Sequence, residues 1–134
     1  MYVRIFAAIA VSTAALAAGA SAPAEQGRSP KAERKLVEAL DGRTAGQPVA
    51  CIQATARMTV IDDSTLLYRD RGIVYLQHPR GACRGLSKGM SLVRNTTGRT
   101  RLCSGDINSI VDLTEGYGTD ACVFNDFVPY AKAE

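Results

Sequence analysis

Few side chains in this sequence could carry chemistry: one histidine, His78; four cysteines, Cys51, Cys83, Cys103 and Cys122; and a handful of carboxylates in turn-forming contexts. His78 has the one ordinary pKa near neutrality, so general acid or base work would fall to its imidazole. A serine nucleophile would need it as well, but no Gly-x-Ser-x-Gly elbow or comparable motif accompanies it. In an enzyme its natural partner would be a carboxylate such as Asp63 or Asp106. Asp62 and Asp63 are adjacent, however, and on a strand adjacent side chains point to opposite faces, so they read as turn residues bonding backbone N–H groups. Asp106, in "CSGD", reads the same way. The glycines of "EGYG" and "RGACRG" lack the strand-to-helix setting of a phosphate cradle. No catalytic, cofactor-binding or metal-binding residue is therefore assigned, and no cofactor is expected.

The cysteines form an even set separated by 32, 20 and 19 positions, with no C-x-x-C knuckle, and a lone histidine does not complete a Cys/His zinc pattern. Two disulfides are the expectation. Sequence leaves three pairings open. The one favoured here joins Cys51 to Cys122 and Cys83 to Cys103, tying the opening and closing strands of a rolled sheet.

Disulfides need an oxidising compartment, and the N-terminus offers a route to one. A start with one positive charge, Arg4, leads into the apolar, alanine-rich run "IFAAIAVSTAALAAGA" and then the small residues "ASA". This is the order of a secretory signal, read as residues 1–22, with cuts available after Ala20, Ala22 or Ala24. A permanent membrane helix is the competing reading, but alanine contributes little insertion energy, Ser12, Thr13 and Gly19 weaken the run, and no basic stop-transfer cluster follows. The first cysteine is Cys51, so no lipid-modified N-terminal cysteine is expected, and after cleavage no stable membrane anchor remains. The expected location is periplasmic or secreted.

The 134 residues are 46% hydrophobic and 22% charged, an ordinary globular balance with room for one domain. The formal charge is +3, or +2 once Arg4 leaves with the signal. Arg57, Arg69, Arg80, Arg94 and Arg101 stand singly among β-favouring segments, not on a basic stripe, which argues against nucleic acid as a partner.

Residues 23–48 form a polar segment in which "SPKAERKLVEALDG" reads as a helix, with Ser29 as cap, Pro30 in the first turn and Gly42 as stop. Leu36, Val37 and Leu40 would dock on the domain. "GRTAGQPVA" reads as a turn-rich connector. A β domain over 49–130 follows. Val49–Thr55 opens it, "RMTVI", "TLLYR" and "GIVYLQ" form a meander over the turns "DDS" and "DRG", and "MSLVR" and "RTRLC" form a hairpin over "NTTG". "INSIVDL" and "ACVFNDFVPY" are further strands, with "TEGYGTD" a loop between them. Tyr68, Tyr75, Phe124, Phe127 and Tyr130 belong to core or sheet. Asn95-Thr96-Thr97 matches a glycosylation acceptor but falls in the hairpin turn, which explains it as well. With about seven short strands and no crossover helices, the fold class is all-β, a small antiparallel roll or barrel after one short helix.

The ordered set "GRTAGQPVACI", "VIDDSTLLYRDRG", "CRGL", "RLCSGD" and "CVFNDFVPY" resembles a family of small exported bacterial proteins, domain of unknown function family 6491, over Leu40 to Tyr130. The resemblance implies an exported bacterial domain and brings no catalytic residue with it.

What remains for function is the irregular stretch "HPRGACRGLSKG". Long loops are where binding surfaces concentrate, and His78, Arg80, Arg84 and Lys88 would make this one basic. The expectation is a non-enzymatic binding module facing an envelope protein. The alternatives are a small envelope enzyme built on His78 and a carboxylate, or, by analogy of fold class alone, an inhibitor of a foreign hydrolase.

Overall fold

The computed structural model describes residues 27–95 and 99–133. The signal segment and residues 96–98 of the "NTTG" turn lie outside the described residues. The chain is mostly β and every strand pairing is antiparallel.

The helix, α1 (Pro30–Leu40), starts where its cap dictates: the Ser29 hydroxyl accepts the Ala32 N–H at 3.1 Å, and Pro30 occupies a first-turn position that has no N–H bond to lose. It buries Ala32 and Leu36, with Leu40 partly covered, a stripe at intervals of four. Val37 was expected on this face but is 58% exposed, because one step along a helix turns a side chain by about 100°.

Ten strands follow. β1 (Arg43–Ala45), β3 (Arg57–Asp62), β4 (Thr65–Asp70), β5 (Ile73–Gln77) and β10 (Phe127–Lys132) form one sheet in the order β1-β10-β5-β4-β3. The expected meander is there as β3, β4 and β5. The "GRTAGQPVA" segment is not a free connector: Arg43–Ala45 pairs with the end of β10, and Val49 bridges to Phe127. β2 (Cys51–Gln53) and β7 (Arg101–Cys103) form a two-stranded ribbon, and β6 (Ser91–Arg94), β8 (Ile107–Asp112) and β9 (Tyr117–Val123) a third sheet in the order β6-β8-β9.

This partition corrects two expectations. The class is the all-β antiparallel one expected, but the described residues form ten strands and not about seven, with β1 and β3 as the edges of the largest sheet. "MSLVR" and "RTRLC" are not a hairpin: β6 pairs with β8, and β7 pairs with β2. The loop assigned to "TEGYGTD" is shorter than expected as well, because β9 begins at Tyr117. The edge at β3 is shielded by the helix, whose Lys35 ammonium donates to the Val60 carbonyl at 2.8 Å.

Both faces of the large sheet are covered, which explains the unbroken run "TLLY". Leu67, Val74, Leu76 and Ile61 pack under α1. Leu66, Tyr68 and Phe127 pack on the opposite side, against Ile52, Leu102, Ile110, Leu86 and Phe124 of the two smaller sheets and their loops. Tyr68, Phe124 and Phe127 meet edge to face, with ring centroids 5.6 to 6.0 Å apart, the arrangement that the ring quadrupoles favour. Tyr75 and Tyr130 are half-buried.

The disulfides are Cys51–Cys103 and Cys83–Cys122. Both differ from the pairing favoured on sequence. Cys51 and Cys103 are directly opposed on the β2–β7 ribbon, a register fixed by burying Ile52 against Leu102. Cys122 lies on the inner face of β9, where it meets Cys83 from the basic loop inside the core.

Candidate functional site

One side chain reaches the loop after β5 from a different turn. Asp63 sits in the β3–β4 turn, and its carboxylate accepts the Ser87 N–H at 2.8 Å and the Gly85 N–H at 3.3 Å, while its backbone carbonyl accepts the Cys83 N–H at 2.7 Å. Burial taken alone would raise this carboxyl's pKa. The bonds from the Ser87 N–H and hydroxyl and from the Gly85 N–H, together with the Lys88 charge, outweigh it and hold the pKa below the ordinary carboxylate value. Asp63 was expected to serve a local turn; it also organises a loop more than twenty positions away.

Three further constraints act on the same loop. Cys83 is tied to Cys122, and Arg80 exchanges backbone hydrogen bonds with Val123 of β9. Leu86, in the short 3₁₀ turn Leu86–Lys88, is buried in the core. Gly85 enters that turn at φ +103, a conformation that side chains resist. A stretch with hardly any regular structure is thereby tied to β9, the core and the β3–β4 turn.

The four basic candidates on this loop do not converge. Arg84 and Lys88 line a shallow cleft of about 280 Å³ with Gly85, Met90, Thr119 and Asp120. Arg80 is exposed where the loop bridges to β9. His78 faces the other way, into a cleft of about 630 Å³ between the start of α1 and the β3–β4 turn, shared with Arg28, Asp62, Asp63, Ser64 and Ser87. Among the described residues Arg80, Arg84 and Lys88 take part in no ion pair.

The His78 cleft gathers the residue types of an acid–base site without the required contacts. His78 Nδ1 lies 3.1 Å from the Ser64 carbonyl oxygen, which can only accept, so Nδ1 carries the hydrogen and its partner is backbone. Asp63 is engaged by the loop N–H groups. Asp62 caps the Ser64 N–H at 2.8 Å and lies 3.5 Å from the Arg28 guanidinium. Asp106, the other proposed partner, is buried on the β7–β8 turn, bonded to the Cys103 N–H at 2.8 Å and 3.5 Å from Arg99. Neither Asp63 nor Asp106 is a hydrogen-bond partner of His78, so the dyad imagined for an enzyme is not assembled.

Several polar residues that matter here had no sequence signal. Arg28 has an almost covered side chain that donates to the Thr65 hydroxyl at 3.0 Å and to Glu33 at 2.9 Å, locking the helix start onto β4. Gln77 is fully buried, and its amide both donates to the Asn125 carbonyl and accepts the Asn125 N–H, at 2.8 and 2.7 Å. Among the described residues no group of three His, Cys, Asp or Glu side chains is placed to hold a metal ion.

No family model, curated protein or solved structure matches the chain. Two disulfides suggest an oxidising compartment outside the cytoplasm, and among the described residues no helix is long and apolar enough to cross a membrane.

Proposed function

We propose that the chain is an exported binding module that recognises an acidic partner protein of the cell envelope through the loop from His78 to Lys88. One observation carries the reading. Asp63, the Cys83–Cys122 bond and the bridge to Val123 tie this loop down, while Arg80, Arg84 and Lys88 form no ion pair among the described residues and only Lys88 lies in the field of Asp63. A surface ordered before binding loses little conformational entropy on association, and unpaired cations speed the approach of an acidic surface. The leader-like residues 1–22 support export to the periplasm or medium. The ordered motifs support membership of the exported family they resemble. The acidic active-site cleft of a foreign hydrolase is one partner of this chemistry.

The test is affinity capture from native envelope extract with the wild-type protein beside R80E/R84E/K88E. The expected result is an acidic protein retained by wild type at low salt, released as salt rises, and missing from the variant. Equal retention by both proteins would overturn the proposal.

A further inference from the structure

The two disulfides sit in opposite environments. Cys83 and Cys122 are 0% and 1% exposed, deep in the main core. Cys51 and Cys103 are only part-buried, on a ribbon of two three-residue strands. With a period of two, the buried Ile52 and Leu102 face the core, so Cys51, Gln53, Arg101 and Cys103 share the outward face. The Cys51–Cys103 bond thus adds nothing to core packing. Ladder bonds from the Ser104 N–H to the Ala50 carbonyl and from the Ala54 N–H to the Thr100 carbonyl flank it, which leaves Cys51 and Cys103 a pair that exchanges no backbone hydrogen bond. A two-stranded ribbon has few ladder bonds, so this one is held mainly by Ile52 and Leu102 in the core and opens more easily than the larger sheets.

We propose that Cys51–Cys103 is a thiol–disulfide exchange site, open to an external dithiol, whereas Cys83–Cys122 is a permanent staple. In the first step a thiolate of the dithiol attacks Cys103 Sγ, a mixed disulfide forms, the Cys51–Cys103 bond breaks, and Cys51 leaves as thiolate. The second thiol of the reductant then attacks the mixed disulfide and releases Cys103. The dithiol ends as a disulfide, and two electrons and two protons have passed to the pair.

The charges on the ribbon set the direction of attack. Arg101 shares the outward face with both cysteines, but its guanidinium reaches across the ribbon to donate to the Cys51 carbonyl at 3.4 Å. Arg94 donates to the Arg101 carbonyl at 3.3 Å. On the Cys103 side Asp106 accepts the Cys103 N–H and lies 3.5 Å from Arg99. The departing thiolate is therefore better stabilised on Cys51.

The experiment treats the native exported protein with reduced dithiothreitol, and in a separate arm with a reduced protein dithiol of the C-x-x-C type. Free thiols are alkylated over time and read by peptide mass spectrometry while circular dichroism follows the β signal. The expected result is labelling of Cys51 and Cys103 at least about tenfold faster than of Cys83 and Cys122, with the β signal kept. The faster arm identifies whether a small or a protein dithiol is the preferred source. Arg101→Glu is expected to slow the first opening by about threefold or more. Simultaneous labelling of all four cysteines, earlier labelling of Cys83 and Cys122, or an unchanged rate in Arg101→Glu would overturn the proposal.

Discussion

Replacing Asp63 with alanine removes the acceptor that two loop N–H groups share, at Gly85 and Ser87. A hydrogen bond to a charged group contributes about 1.5 to 3 kcal/mol when well sheltered. Asp63 is only part-buried, and water can replace some of what is lost, so the two bonds together are discounted to about 1.5 to 3 kcal/mol. The Cys83 N–H keeps its partner, because that acceptor is the Asp63 backbone. The loss should thus loosen residues 84–88 more than it destabilises the whole domain. The pH dependence has a definite sign. A carboxylate whose pKa is depressed by folding stabilises the native state fully above its unfolded pKa, and that contribution fades as pH falls through the lower folded value. Wild type and Asp63→Ala should therefore differ in stability by a constant amount from neutral pH down to about 4 and converge below it. Urea unfolding across this range gives the global term, and amide exchange at Gly85 and Ser87 gives the local one. A global loss under about 0.5 kcal/mol together with unchanged exchange at both amides would refute the role given to Asp63.

The β4–β5 turn places Arg71 at φ 50 and Gly72 at φ 80, a two-residue hairpin loop with both residues left-handed. Arg71→Asn should raise stability by about 0.5 to 1 kcal/mol, read as an increased melting temperature. Gly85→Ala should cost more than about 2 kcal/mol, since a Cβ there would collide with the Met90 thioether on a backbone at positive φ; thermal unfolding measures it. Gln77→Leu takes away the partner of both the N–H and the carbonyl of Asn125; Asn125 itself is exposed, so water recovers part of the loss and the cost should be about 1 to 2 kcal/mol in urea unfolding, whereas Asn125→Ala, which keeps the backbone groups, should cost less.

Elements built from local chemistry were legible in the sequence. Ser29 and Pro30 announce α1, and "DDS" and "DRG" announce the meander, because caps and turns are decided within a few residues. What required the fold were choices among distant partners. β2 and β7 lie about fifty positions apart, and nothing local prefers that pairing to the hairpin of β6 with β7; burying Ile52 and Leu102 together decides it. That choice fixes the disulfides, since it opposes Cys51 to Cys103 and leaves Cys83 for Cys122. The loop from His78 to Lys88 could be located by its glycines, proline and charges. Its rigidity could not, because Asp63 acts on it from a different turn, and the turn chemistry that explains Asp63 locally gives no hint of the longer-range bonds. Neither was the divergence of His78 from Arg84 and Lys88 readable, since it depends on which side of the loop α1 occupies.

The measurement that bears most directly on the binding reading is amide hydrogen exchange of the wild-type protein, alone and in complex with the captured envelope partner. The account predicts that slowing on complex formation centres on residues 80–88 and the rim of the Arg84–Asp120 cleft. Slowing centred on the exposed apolar residues of the three-stranded sheet, Val93 of β6 and Ile107 of β8, with residues 80–88 unchanged, would contradict it.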